Sequence, residues 1–256
     1  MELIIVGFHR SGTSLLAQLL HASGLFVGDE LLDAMPSNPY GHFEDREVLE
    51  LHRRVLDDNG VGWQVNTPAP IFIGVEAWEE MRNFVAKRQA EHLLWGFKEP
   101  RVCLFLGAWK YLMPDAKFVV VYRDPSQVVR SLHARHSSDY LNGSGPADAH
   151  LRFFREPDLG LNLWDTYNRA IVNFVKRHPQ DCLVLPHSDL AAGYPIVDRI
   201  NARFGAGLDP IPTESVFDAG AVGKQESVRT VHDPEVERRV ARTWRDLEAL
   251  ASWTSR

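Results

Sequence analysis

The stretch Leu3-Ile4-Ile5-Val6-Gly7-Phe8-His9-Arg10-Ser11-Gly12-Thr13-Ser14 is an apolar run that breaks into a glycine- and serine-bearing turn. Leu15, Leu16, Leu19 and Leu20 follow it at helical spacing. The pattern predicts a strand over 2–7, a tight turn, and a helix over 13–23 closed by Gly24. A strand that passes into a helix through such a turn offers backbone N–H groups and the positive end of a helix to an anion. Gly7 and Gly12 have the spacing of a Walker A loop, with Ser14 in its last position, but Thr13 stands where that loop needs lysine. The basic residue is Arg10, three positions earlier. The turn therefore reads as a phosphate cradle that is not built to hydrolyse ATP with magnesium.

Working outward, Leu93 to Lys98 reads as a short buried strand, and Cys182 to Pro186 as another. Residues 116–122 (Ala-Lys-Phe-Val-Val-Val-Tyr) are a β-branched run without alternation, which suits a central parallel strand covered on both faces. Helices are expected at 44–58, 75–91, 101–112, 125–136, 160–178, 193–204 and 234–251. Residues 60–74 are expected to be irregular, 137–158 a mobile loop with a short helix, and 205–233 a loop rich in Gly, Pro and Asp. Strands alternating with helices predict an α/β fold: one domain over 1–256, three-layered, with a central mainly parallel sheet flanked by helices. In such sheets ligands bind beyond the carboxyl ends of the strands. Gly7–Ser14, Lys98–Arg101 and Arg123–Pro125 each follow a strand end, so they are expected to meet in one crevice.

The composition narrows the partners. The 256 residues carry a formal net charge of −6, with 45% hydrophobic and 24% charged residues. That is ordinary for a globular protein with a sizeable core, and it argues against general nucleic-acid binding, which favours a basic surface. No apolar run approaches the roughly 20 residues that span a membrane. The chain enters its first strand without a charged-then-apolar leader, which predicts a cytoplasmic protein. Cys103 and Cys182, far apart and outside any C-x-x-C pair, read as buried thiols of a reducing compartment.

Taken together, the motifs resemble the sulfotransferases that use 3′-phosphoadenosine 5′-phosphosulfate (PAPS), over roughly residues 1–135. In that family the first strand–loop–helix binds the 5′-phosphosulfate through a basic residue, Ser-Gly-Thr, and then Ser or Thr. Arg10-Ser11-Gly12-Thr13-Ser14 matches it. A second family motif is Arg-Asp-Pro with a serine eight residues after the arginine, which together hold the 3′-phosphate; Arg123, Asp124, Pro125 and Ser131 fit by type and spacing. The resemblance implies a P-loop-NTPase-like sulfotransferase fold. It also implies PAPS as donor with adenosine 3′,5′-bisphosphate as product, no metal, and transfer to a hydroxyl or amine of a small-molecule, carbohydrate or glycolipid acceptor. Ser11, Gly12, Thr13 and Ser14 would then cradle the 5′ end and Arg10 would meet the leaving oxygen. Asn38-Pro39-Tyr40-Gly41-His42-Phe43-Glu44 resembles an Asn-Pro-x-Gly-x-x-Glu stretch of bacterial members, which makes Glu44 the first candidate for general base. His42 is the second, because imidazole titrates near neutrality. Phe97-Lys98-Glu99-Pro100-Arg101 resembles a Lys-Asp-Pro motif with Glu for Asp. Lys98 would face the transferring sulfonate, and the role of Glu99 is left open. Gly220-Ala221-Val222-Gly223-Lys224 is a candidate for closing over the adenosine.

Two other functions fit parts of the pattern. A P-loop kinase or NTPase drifted from Walker A would need an acid at the end of strand 116–122, where Arg123 stands instead and Asp124 is followed by proline. A non-catalytic nucleotide-binding module would leave Glu44 and Lys98 away from the crevice.

Overall fold

The structure, a computed structural model, describes residues 1–32, 41–212 and 233–254. Three strands, β1 (Leu3–Val6), β2 (Lys117–Tyr122) and β3 (Cys182–Pro186), form a parallel sheet in the order β1-β2-β3. Ile5 pairs with Val119 across the first interface and Val120 with Val184 across the second. Successive side chains point to opposite faces of a strand. Ile4, Val6, Phe118, Val120, Cys182 and Val184 therefore enter one core, and Leu3, Ile5, Val119, Val121, Leu183 and Leu185 enter a second. Two cores on one sheet make three layers, which is why strand 116–122 shows no alternation.

Helices α1 (Thr13–Ala22), α8 (His187–Ala191) and α9 (Ile196–Phe204) cover the second core. The other face carries α2 (Arg46–Asp58), α3 (Val75–Glu91), α4 (Leu106–Leu112), α5 (Pro125–Leu141), α6 (Ala147–Arg155), α7 (Leu159–Arg177) and α10 (Pro234–Thr254). Among the described residues no helix is long and apolar enough to cross a membrane.

Four expectations need correction. Residues 93–98 do not form a regular strand; the segment runs beside the first strand with isolated bridges at Glu2↔Trp95, just before β1, and Ile5↔Lys98. Its backbone is shared, since Leu3 N–H donates to Trp95 O (2.9 Å) while Gly96 N–H turns to Phe26 O (2.8 Å). Gly96 is needed there, because a Cβ would run into the Leu3 carbonyl. Leu93 is fully solvated at 93% exposure, so the apolar run begins before the buried part. The helix expected over 101–112 is two pieces. A 3-10 turn over Pro100–Leu104 is fixed by Pro100 and by the Glu99 carboxylate accepting from Arg101 N–H (3.0 Å), and α4 follows. The stretch 137–158 is mostly helical. α5 continues to Leu141 and α6 packs back on it, with His136 stacked on Phe153 at 4.1 Å. Low propensity at Ser137, Ser138 and Asp139 is overridden by that tertiary contact, and the chain leaves the helix through Gly143 at φ 66°. Finally, the helix expected over 193–204 starts only at Ile196, behind Pro195.

Candidate active site

The loop after β1 is held in a shape that few residues tolerate. Arg10 has φ 65° and Gly12 φ 93°. The first is uncommon for a residue with a Cβ and marks a conformation the surroundings enforce. Gly12 is also sterically required, since a Cβ there would collide with the ring of His187. At Gly7 a Cβ would meet the Val121 carbonyl and the Thr13 methyl, so the loop lies against the end of β2. Gly12 caps α1 without any side-chain hydrogen bond. The first-turn N–H groups of α1 thus point outward with no acceptor from a capping side chain. Ser11 is fully buried and its Oγ has no hydrogen-bond partner among the described residues.

The second motif locks onto this loop. Asp124 caps α5, accepting from Gln127 N–H at 3.0 Å and from the Ser126 hydroxyl at 2.5 Å, with Pro125 at the first helical position. Arg123 Nη1 donates to the Arg10 carbonyl (3.2 Å) and Arg123 Nε to Gln127 Oε1 (3.0 Å). Arg10 Nε donates to Ser131 Oγ (2.8 Å). Arg123, Gln127, Ser131 and Arg135 stand four apart, so they share one side of α5 and its entry. Burial first, and then the neighbouring charges of Arg135 and Arg123, bring the Arg10 guanidinium down to about 10. A buried cation among cations favours an anion as its partner.

On the other flank the Ser14 hydroxyl donates to the His42 carbonyl at 3.2 Å, tying α1 to the segment that carries Glu44. Lys98 is 2% exposed and its Nζ donates to Glu44 Oε1 at 2.8 Å. His42 Nδ1 lies 3.8 Å from the same oxygen. Burial lowers the His42 pKa, with Glu44 pulling the other way, so the ring is neutral at pH 7. The structure therefore brings Arg10, Ser11, Gly12, Thr13, Ser14, His42, Glu44, Lys98, Arg123 and Ser131 to the carboxyl ends of β1, β2 and the edge segment. The candidate base and the candidate sulfonate-facing lysine form one buried ion pair, which separate motifs did not suggest. Asn38 and Gly220–Lys224 lie outside the described residues.

Two residues of this crevice were missed from the sequence. His187 starts the chain beyond β3 and packs on Gly12; burial, then Arg123, holds its pKa down to about 4. It follows a strand end, the signal that picked out the other motifs. Arg135, one turn beyond Ser131, acts electrostatically on Arg10 and on His42; the four-residue spacing could have found it.

A family model described as the sulfotransferase family matches residues 2–194. The chain belongs to the sulfotransferase family, whose members transfer sulfuryl groups. No curated protein sequence matches it. Among solved structures it is similar to a sulfotransferase domain from the curacin biosynthetic pathway, with 15% identity over 94% of this chain and 96% of that one and a TM-score of 0.55. It is also similar to a sulfotransferase from Alicyclobacillus acidocaldarius, with 14% identity over 98% and 95% of the two chains and a TM-score of 0.54. At such identities the likeness establishes the shared α/β fold.

Proposed function

We propose that this sulfotransferase takes its sulfuryl group from PAPS and passes it to a hydroxyl of a small-molecule, carbohydrate or glycolipid acceptor without a metal. The observation that carries this is the hydrogen-bonded chain Gln127–Arg123–Arg10–Ser131, which sets two guanidinium groups beside an uncapped helix end. A donor with separated anionic ends needs two such anchors. The buried Ser11 hydroxyl without a partner fits an oxygen-rich ligand, because buried polar groups are nearly always hydrogen-bonded.

In this proposal Ser11, Thr13, Ser14 and the α1 N-terminus hold the 5′ end, and Arg123 with Ser131 the 3′-phosphate. The donor supplies a sulfuryl group on a phosphate leaving group. The sulfur–oxygen bond to that phosphate breaks as one forms to the acceptor oxygen. The acceptor proton passes to Glu44, and the charge left on the phosphate oxygen is met by Arg10. Lys98, already on Glu44, is placed to meet the sulfonate oxygens. Magnesium-nucleotide chemistry is disfavoured by the residues at the carboxyl end of β2. Arg123 occupies the strand end, and the Asp124 carboxylate is committed to capping α5.

The test is calorimetric titration with adenosine 3′,5′-bisphosphate and, separately, with ATP and magnesium. Binding of the bisphosphate without metal and weak binding of Mg-ATP are expected. The reverse preference would overturn the assignment.

A further inference from the structure

Arg101 stands three residues beyond Lys98 and has no role in the transfer proposed above, yet its backbone and side chain are both held by one buried carboxylate. Its backbone N–H donates to Glu99 Oε2 at 3.0 Å and its Nη1 donates to Glu99 Oε1. Glu99 is fully buried and also accepts from His52 Nδ1 at 2.6 Å. The His52 tautomer is dictated by the next link. Trp109 Nε1, which can only donate, sits 2.9 Å from His52 Nε2, so the ring proton is on Nδ1. The His52 ring lies flat on Phe105 at 4.4 Å. This line of buried groups, Trp109–His52–Glu99, fixes one side of the Arg101 guanidinium.

The other side is unused. Arg101 Nε is buried and has no hydrogen-bond partner among the described residues. His9 Nε2 and His42 Nε2 are in the same condition. Burial first, and then Arg101, Arg135 and Lys98, holds the His9 pKa well below its ordinary value; that of Arg101 is raised against burial by Glu99, with Tyr167 and Glu44 adding less. Lys98, three residues before Arg101, holds Glu44 Oε1 at 2.8 Å, and His42 Nδ1 lies 3.8 Å from that oxygen, so Arg101 belongs to the same strand-end segment as the partner of the proposed base.

We propose that Arg101 forms an oxyanion subsite of the acceptor pocket, so that the alcohol sulfated here carries a second, anionic group: a carboxylate, phosphate or sulfate. An arginine pinned through Nη1 keeps its Nε edge for the planar two-point contact such groups favour. Glu99, His52 and Trp109 are positioning residues for it. This resolves the Glu-for-Asp change in the Lys-Glu-Pro-Arg stretch, because the carboxylate is spent on orienting Arg101.

The subsite rests on the assignment of PAPS as donor, so the experiment reads both. Adenosine 3′,5′-bisphosphate is first titrated into wild type, Arg101→Gln and Arg101→Lys; inorganic phosphate is then titrated into each saturated complex by calorimetry. Wild type is expected to take up one phosphate. Arg101→Gln should weaken that uptake at least tenfold and Arg101→Lys less, with bisphosphate affinity unchanged within twofold in both. Unchanged bisphosphate binding also shows that the variants are folded. No phosphate uptake by the saturated wild type, or uptake retained in Arg101→Gln, overturns the subsite alone. Weakened bisphosphate binding in Arg101→Gln moves the residue to the donor side and overturns it too. No bisphosphate binding by wild type overturns the donor assignment and the subsite together.

Discussion

Each arginine of the donor side serves two ends. Arg10 donates through its side chain to Ser131 while its carbonyl accepts from Arg123, in a backbone conformation that costs energy. In the proposed donor site each guanidinium makes a charge-assisted contact to the ligand, worth about 1.5–3 kcal/mol. Arg10→Ala and Arg123→Ala are therefore each expected to weaken adenosine 3′,5′-bisphosphate binding by roughly ten- to a hundredfold. Titration of the two variants checks this, and unchanged affinity in both would refute the donor site. Glu44 calls for a different measurement. Glu44→Gln keeps the shape and an acceptor oxygen for Lys98 but cannot take a proton. Bisphosphate affinity should hold while kcat drops by about 10²–10⁴, the usual yield of general-base catalysis. Turnover at the wild-type rate would place the base elsewhere, and His42 is the next residue to test.

At the level of elements, the segment bearing Glu44 is anchored by a neighbour that takes no part in the chemistry. Asp45 caps α2 through Glu47 N–H (2.9 Å) and Val48 N–H (3.3 Å), and it also accepts from Arg88 of α3 at 3.0 Å. Arg88 is 1% exposed, lies over the rings of Phe26 and Phe84, and also pairs with Asp29. Losing one partner of a buried pair costs about 3–5 kcal/mol. Asp29 remains on Arg88, so Asp45→Ala is expected near the low end, about 3 kcal/mol, read as a lower urea midpoint. A loss under about 1 kcal/mol, the size of the cap alone, would show that the pair contributes nothing. The same region shows what the sequence could and could not tell. Arg123-Asp124-Pro125 announces its strand end, cap and first helical turn within three residues, so β2 and the start of α5 were legible. Arg88 lies 43 residues from Asp45, and Lys98 lies 54 from Glu44. No periodicity encodes such pairs, so the partner of a recognised site residue stayed hidden although the residue itself did not. The broken helix at Phe105 failed to register for the same reason, since the Glu99 network that fixes it reaches back to His52.

Over the whole molecule the site is embedded among histidines that burial keeps neutral. The pKa of His136 is brought down to about 3, by burial first and then by Arg135 and His150, and that of His187 to about 4. Those of His9 and His52 are also lowered by burial, in His52 against the opposing pull of Glu99. An unfolded histidine takes up its proton near pH 6.5, the folded one only well below. The unfolded chain therefore binds more protons between pH 6.5 and about 4, and stability rises with pH across that window. Each histidine that titrates only when unfolded contributes a slope of up to about 1.4 kcal/mol per pH unit. Asp45, its carboxyl pKa raised chiefly by burial, opposes the trend because the folded state holds that proton longer. The lowered carboxylates Glu99 and Asp181 add to acid loss only once the pH falls below their ordinary values near 4. Urea unfolding at pH 7.5, 6.5 and 5.5 should show a loss over the second step about three times that over the first. His136→Phe, which keeps the stacking between Trp63 and Phe153 but cannot titrate, should reduce that second loss. Equal stability of the wild type at pH 6.5 and 5.5 would mean that these rings take up protons in the fold over the same range as in the unfolded chain, and the neutral frame around Glu44 and Arg101 would have to be abandoned.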